Sequence, residues 1–135
     1  MGEASAQAWE RARTLIGIWN SEGLDSWAAH AWSPDIVWHE PERFPDAGVR
    51  VGRDAALQRM RERFDWIGEV QMELVDVQQA GSRTMIEVII HSKGRQSGAT
   101  ADQREFLITE IEDGQTTLLL EFLDRDEAMA AMADG

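Results

Sequence analysis

The order of the predicted elements most restricts the fold, because helices fill the first half of the chain and strands fill the second. Short turn signals, among them Ala80-Gly81-Ser82 and Asp113-Gly114, separate the strands and favour antiparallel pairing of neighbours. A parallel α/β sheet would need helices that alternate with strands. The pattern therefore predicts an α+β domain in which helices cover one curved sheet. The predicted strands are residues 70–79, 84–92, 104–112 and 116–123.

Apolar residues at helical spacing predict the helices. Residues 4–20 form an amphipathic first helix, residues 24–32 a short second helix that ends at Ser33-Pro34, and residues 124–132 a short last helix. A loop is predicted from Phe44 to Gly52, and a third helix follows it. The inward stripe of this third helix is Leu57, Met60, Phe64 and Ile67, and its predicted solvated face carries Arg59, Arg61 and Arg63.

The segment from Asp35 to Pro41 is a β-rich run that ends in polar residues and a proline. Pro41 prevents continuation as a central strand and holds Glu40 in extended backbone angles. Side chains alternate along a strand, so His39 and Glu40 must point to opposite faces. One of the two can enter a pocket while the other faces solvent.

Composition limits the partners and the setting of the chain. Its 135 residues fit one domain, predicted to span residues 1–135. The 25 acidic and 13 basic residues give a formal net charge of -12, which repels phosphate backbones and anionic membranes, so we expect neither nucleic acid nor membrane as a partner. The chain has no cysteine, no recognisable signal peptide and no apolar run of membrane-spanning length, which favours a cytoplasmic protein.

Several local motifs, taken in order, resemble the SnoaL-like branch of the nuclear-transport-factor-2-like superfamily. This resemblance implies a cone-shaped α+β barrel, in which about three helices from the N-terminal half wrap a strongly curved mixed or antiparallel sheet. It also implies an apolar pocket in the open end and a homodimer formed through the sheet. The motifs are Val37-Trp38-His39-Glu40-Pro41, Pro45-Asp46-Ala47-Gly48, Gly52-Arg53-Asp54-Ala55, Ser97-Gly98, Glu112-Asp113-Gly114 and Phe122-Leu123-Asp124-Arg125.

The resemblance implies Glu40, His91 and Glu121 as catalytic candidates. Glu40 before Pro41 is similar to the base position of ketosteroid isomerases, although the chain lacks the tyrosine that those enzymes use. Glu121 resembles an aspartate of limonene-type epoxide hydrolases and His91 lies near the place of the second one, although Ile89 stands where their arginine is expected. SnoaL-like cyclases combine an aspartate with a histidine, and these three residues can fill such roles.

The residues themselves leave an alternative open for each candidate. Glu121 lies among leucines and Phe122, where burial would raise its pKa as a general acid requires, or it is one charge on an outer face. His91 shares a face with Met85 and Glu87, which would form a polar line on the concave face, or it is an exposed residue near a strand end.

Six tryptophans are more than a small core needs, which favours a cavity lined by aromatic rings. Its ligand would be a small hydrophobic molecule resembling a polyketide, steroid or terpenoid. For Trp19, simple packing between helix and sheet is the alternative. No metal-ligand spacing is present, and no cofactor is predicted. The predicted pocket residues are Trp19, Trp27, Trp38, Met60, Phe64 and Trp66.

Two functional hypotheses follow from the sequence. The first is an acid/base enzyme, an isomerase, cyclase or hydrolase, in which Glu121→Gln abolishes turnover with little loss of fold. The second is a non-catalytic ligand-binding or dimeric accessory protein, whose pocket contains no converging titratable pair.

Overall fold

The computed structural model describes residues 2–134, apart from the side chain of Trp66, as four helices and one seven-stranded sheet. None of the helices in this range is both long and apolar enough to span a membrane. The elements are β1 (Gly2–Glu3), α1 (Ala6–Glu22), α2 (Leu24–Ala31), β2 (Trp32–His39), β3 (Val49–Val51), α3 (Arg53–Ile67), β4 (Glu69–Ala80), β5 (Arg83–Lys93), β6 (Thr100–Glu112), β7 (Gln115–Phe122) and α4 (Arg125–Ala133).

The sheet is mixed and has the strand order β1-β4-β5-β6-β7-β2-β3. Every neighbouring pair is antiparallel except β2 and β7, which run parallel. Strand β2 belongs to the helical half of the chain and lies beside β7, the last strand of the meander. One-residue irregularities interrupt β4 and the β6–β7 pair, and such bulges bend a sheet. The predicted α+β class and its strongly curved mixed sheet are confirmed.

Helices α1, α2 and α3 cover the concave face of the sheet around an aromatic core. Trp27 makes edge-to-face contacts with Trp19 at 5.0 Å and with Trp32 at 5.1 Å between ring centroids. Ser5 caps α1 by accepting a hydrogen bond from the Ala8 N–H at 3.1 Å, which explains why the helix begins at Ala6. At the end of α3, Gly68 has a φ of 104°, and a Cβ there would lie 2.3 Å from the Lys93 carbonyl oxygen. The turn into β4 therefore requires glycine.

Helix α4 covers the opposite, convex face of the sheet and forms a second core. Met85 and Phe106 of the sheet pack there with Ala128 and Met132 of α4. The line of Met85, Glu87 and His91 therefore lies on the convex face, which excludes the concave alternative and agrees with an exposed His91 near the strand end. Both faces of β5 are apolar, since Ile86, Val88 and Ile90 alternate with Met85 and Ile89, so its pattern alone could not orient it.

Several elements differ from the sequence prediction, among them β2, β3 and β6. Strand β2 begins at Trp32 and includes Ser33-Pro34, which was predicted to end the second helix; the register with β7 shifts between Trp32 and Val37, where a proline is tolerated. The predicted loop before α3 contains the short edge strand β3, and β6 begins at Thr100 rather than Arg104.

Candidate functional site

Two cavities lie between the helices and the concave face of the sheet. The first, of about 400 Å³, lies under α1 and is called the α1 cavity; the second, of about 320 Å³, lies under α3 and is called the carboxylate cavity. Their volumes fall at the lower end of the range for small-molecule sites, roughly 300–1,000 Å³. Trp27, Met72, Leu107 and Leu119 line both cavities and form the wall between them.

Glu121 lies on β7 at the wall of the carboxylate cavity and is only 6% exposed. Arg63 of α3 binds it in a bidentate manner, donating from Nη1 to Oε1 at 2.8 Å and from Nη2 to Oε2 at 2.9 Å. The Trp38 indole N–H donates to Oε1 at 3.1 Å. Glu121 is therefore a buried carboxylate with a dedicated cation, not a free charge on an outer face.

Glu105 of β6 lines the same cavity and interacts with Glu121. Leu107 pairs with Glu121 across the β6–β7 ladder, so Glu105, two residues away, projects from the same face. Glu105 is 7% exposed, and Arg63 binds Glu121 rather than Glu105. The cavity lining therefore carries this pair of buried glutamates, the Arg63 guanidinium and the exposed Asp102 carboxylate.

The two carboxyl groups are pushed toward different protonation states. Burial, together with the charge of Glu121 and a hydrogen bond to it, raises the pKa of Glu105 well above its usual range. Burial acts against ionisation of Glu121 as well, but the hydrogen bonds from Arg63 and Glu105 lower the pKa of Glu121 overall. These opposite shifts favour a protonated Glu105 that donates to an ionised Glu121, and the two groups titrate together.

Glu40 is also buried, but it does not line the carboxylate cavity. Its side chain is fully enclosed and accepts hydrogen bonds from Arg59 Nε at 2.8 Å, Arg50 Nε at 2.9 Å and the Gly48 N–H at 3.2 Å. Glu40 thus closes the loop between β2 and β3 onto α3. Glu40 is nevertheless close to the arginine that binds Glu121, since its Oε1 lies 3.9 Å from Arg63 Nη1.

Arg59 and Arg63 are the site residues whose placement the sequence predicted wrongly. They are 8% and 4% exposed, whereas Arg61 between them is exposed and bonds Asp25 at 2.6 Å. A signal was present: Arg59 and Arg63 are four residues apart, beside Met60 and on one turn-to-turn row of α3. The sequence analysis also missed Glu105. It lies two residues from Leu107 and therefore on the same face of β6, just as Glu121 shares a face of β7 with Leu119.

His91 bonds neither the Glu105–Glu121 pair nor Glu40. It lies on the convex face, with Nε2 2.9 Å from Glu73 Oε1 and Nδ1 2.7 Å from Asp102 Oδ1. The sheet itself separates it from Glu105 and Glu121. We therefore remove His91 from the candidate site.

The position of His91 predicts a pH-dependent contribution to stability. Hydrogen bonds to Glu73 and Asp102 raise the pKa of His91 above 6.5, so the imidazolium is favoured in the folded state. Its contribution is fully present below the unfolded pKa and is lost as pH rises through the folded one. Urea unfolding of wild type and His91→Gln should show a difference that shrinks from pH 6 to pH 9. His30→Gln, on an exposed helix surface, is the control; a His91 difference that grows with pH would contradict this account.

The predicted pocket residues are divided between the lining and the core behind it. Trp27, Trp38, Met60 and Phe64 line the carboxylate cavity. Trp19 lies behind them, 5% exposed, and donates its indole N–H to the Val70 carbonyl at 3.1 Å. The side chain of Trp66 lies outside the described part of the structure. Arg63 stacks between two aromatic rings, 4.2 Å from the centroid of Phe44 and 5.3 Å from that of Trp38.

The polar groups that line the carboxylate cavity are suited to proton transfer. Within the described part of the chain, no three His, Asp or Glu side chains are grouped so that they would hold a metal ion. What the cavity offers is the Glu105 carboxyl group, whose pKa is raised, beside the Glu121 carboxylate that Arg63 binds. Such an acid can donate a hydrogen bond or a proton to an oxygen atom of a ligand.

A family model described as the SnoaL-like domain matches residues 12–119, which run from within α1, through the whole of α3, to the middle of β7. The chain belongs to the SnoaL-like family. The family resemblance expected from the local motifs is thereby confirmed. No curated protein gave a significant match to the sequence.

Solved structures share the SnoaL-like fold at low sequence identity. An NTF2-like protein of unknown function from Burkholderia pseudomallei is 17% identical, with a TM-score of 0.72 over 95% of this chain and 98% of that chain. TerC, co-crystallised with polyporic acid, is 14% identical, with a TM-score of 0.73 over 96% and 100% of the two chains. A protein assigned as a SnoaL-like polyketide cyclase from Mesorhizobium loti is 16% identical, with a TM-score of 0.64 over 84% and 97%. Identities this low establish the fold and leave the reaction to the site.

Proposed function

We propose that this SnoaL-like protein binds a small apolar molecule in the carboxylate cavity and that Glu105 donates a proton to a carbonyl or epoxide oxygen of that ligand. The observation that carries the proposal is the buried Glu105–Glu121 pair in the cavity wall, in which Arg63 binds Glu121 and not Glu105, so that the pKa of Glu105 is raised and that of Glu121 is lowered. The reaction class is an acid-assisted isomerisation, cyclisation or ring opening of a polyketide-, steroid- or terpenoid-like substrate.

Glu121 and Arg63 have supporting roles in this proposal. Arg63 holds Glu121 ionised, and Glu121 in turn accepts the hydrogen bond that orients the Glu105 carboxyl group. After Glu105 gives up its proton, the neighbouring Arg63 charge stabilises the new carboxylate. Return of a proton from the product or from water restores the starting state. Glu121 therefore stays a site residue, now as the partner of Glu105.

Glu40 has a structural role in this proposal. Its carboxylate binds two arginines and a backbone N–H, and no side of it faces the carboxylate cavity. A carboxylate in this position does not face a ligand bound there. The isomerase-like role implied by Glu40 before Pro41 is therefore replaced by closure of the β2–β3 loop.

The family comparison supports the ligand class. TerC binds polyporic acid in its crystal, and the Mesorhizobium loti structure carries a polyketide cyclase assignment. The arginine between two acids also resembles the composition of the epoxide hydrolase site, although here the arginine comes from α3 and both acids are glutamates. Homodimer formation, implied by the same resemblance, remains part of the proposal.

The test replaces the proposed acid by its neutral isostere. Limonene oxide, a polycyclic enone and polyporic acid serve as probes, with tryptophan fluorescence to detect binding and product analysis to detect turnover. Glu105→Gln should retain binding of the accepted probe and reduce kcat by about 10²–10⁴-fold, the range for loss of a general acid. The pH profile of the wild type should lose activity at high pH as Glu105 ionises.

Glu110→Gln on the same strand is the matched control, since Glu110 is partly exposed and pairs with Arg83 at 2.8 Å, away from the cavity. Full turnover by Glu105→Gln would refute the acid role. Binding without turnover in both proteins would favour the second candidate, a non-catalytic ligand-binding protein. That candidate is supported by one observation: the oxygens of Glu121 already accept from Trp38 and Arg63, so Glu121 is not free to act as base.

A further inference from the structure

The α1 cavity differs from the carboxylate cavity in its charge. Its described lining contains one charged side chain, Arg11, and no carboxylate, although the chain has 25 acidic and 13 basic residues. The remaining lining is mostly apolar, with Ala8, Ala12 and Leu15 from α1 facing Ile86 and Val88 of the sheet. The cavity is therefore an apolar space with a single positive charge.

Arg11 is held in place but not neutralised. Its Nη1 donates to the Gly114 carbonyl at 2.8 Å and its Nη2 donates to the Thr116 hydroxyl at 3.2 Å. Both acceptors are neutral, and a guanidinium has five N–H donors, so three of them have no partner among the described residues. The buried arginines Arg59 and Arg63, in contrast, each bind a glutamate directly.

Burial makes the unpaired charge unfavourable. Arg11 is partly buried, and this desolvation lowers the pKa of Arg11 without an opposing carboxylate. A partly desolvated cation without a counterion is destabilising, and an anion brought to it offsets that cost. A carboxylate matches the planar geometry of a guanidinium and can accept two of its free N–H groups.

From these contacts we propose that the α1 cavity binds an apolar monocarboxylic acid, with its carboxylate on Arg11 and its hydrocarbon body along α1 toward the wall formed by Trp27, Met72, Leu107 and Leu119. The hydroxyl groups of Thr84, Thr109 and Thr116 provide polar contacts near the charged end. The inference goes beyond the proposed function, because the α1 cavity contains neither Glu105 nor Glu121 and binding there needs no reaction.

Decanoate and 1-decanol are the probes, since they share a chain and differ in charge. Titration calorimetry should show saturable binding of decanoate to the wild type, and Arg11→Gln should weaken it at least about tenfold, as expected for loss of a charge-assisted hydrogen bond. Decanol should bind both proteins equally and more weakly than decanoate binds the wild type. Arg13→Gln is the matched control, because Arg13 is exposed on the same helix and pairs with Glu10 at 3.8 Å.

The location is tested by isoleucine methyl NMR. Ile16 and Ile86 line the α1 cavity and should shift when decanoate binds, whereas Ile89 on the convex face should not. If Arg11→Gln unfolds, Arg11→Lys keeps the charge and should retain most of the affinity. The inference is overturned if the wild type does not bind decanoate, if Arg11→Gln binds it as tightly, or if Ile16 and Ile86 do not respond.

Discussion

Replacing Arg63 by methionine is expected to lower the free energy of unfolding by about 3–5 kcal/mol at neutral pH, the usual cost of breaking a buried ion pair from one side. Arg63 is 4% exposed and supplies two of the hydrogen bonds to Glu121. Methionine fills similar space but leaves a buried carboxylate without a cation. Urea unfolding with the midpoint and slope fitted together measures the loss.

The pH dependence of this variant provides a second signature. With Arg63 present, its hydrogen bonds lower the pKa of Glu121 despite burial, so acid weakens this part of the wild type. Without Arg63, burial is the dominant influence and raises the pKa of Glu121 above its unfolded value. Stability of Arg63→Met should then increase as pH falls from 8 toward 5, relative to wild type.

Arg61→Met is the matched control, since Arg61 lies two residues away on α3 and forms an exposed pair with Asp25. Its effect should stay below about 1 kcal/mol, the typical limit for a surface pair. Equal losses in the two variants would show that Arg63 does not have the buried role described for it.

Replacing Glu40 by glutamine is expected to lower the free energy of unfolding by about 3 kcal/mol, because Arg59 is left buried without a full counter-charge. The neutral amide also weakens the contacts to Arg50 and to the Gly48 N–H that close the β2–β3 loop. Chemical denaturation measures the loss. Turnover per folded molecule should remain within about threefold of wild type, since the expected cause is structural.

Glu42→Gln is the comparison, because Glu42 is exposed in the same loop and should change stability by less than about 0.5 kcal/mol. A stable Glu40→Gln protein with turnover reduced by more than about tenfold would restore the catalytic role of Glu40. The same logic changes the expectation for Glu121→Gln. Its carboxylate compensates Arg63, so this variant should lose stability as well as activity, and Glu105→Gln separates the two effects better.

The architecture was accessible from the sequence because it depends on local patterns that are strong here. Helical spacing in residues 4–20 predicted α1 within two residues at each end, and the stripe of Met60, Phe64 and Ile67 predicted the presence of α3. The Asp113-Gly114 turn predicted the β6–β7 hairpin. What failed were short edge elements such as β3, which have too few residues for a periodic signal.

Only part of the candidate site could be predicted from the sequence. Glu121 and Glu40 stood out as carboxylates in apolar or proline-bounded strands, and both are buried. The arginines that bind them, Arg59 and Arg63, did not stand out. The sequence of an amphipathic helix does not distinguish an arginine that faces water from one that faces a buried acid. His91 was misplaced because both faces of β5 are apolar, and only the docking of α4 shows which face is convex.

The sequence by itself determined the α+β class, because the order of its periodic segments specifies helices followed by a meander of strands, and it singled out Glu40 and Glu121 as carboxylates in strands. Tertiary structure alone decided that Glu105 meets Glu121. The hairpin turn pairs Glu112 with Gln115, and an unbroken ladder from there would place Phe106 opposite Glu121. The extra residue at Thr117 shifts the register by one, so that Leu107 lies opposite Glu121 and Glu105 shares its face. A single bulge, whose position no local pattern specifies, thus brings the two carboxyl groups together.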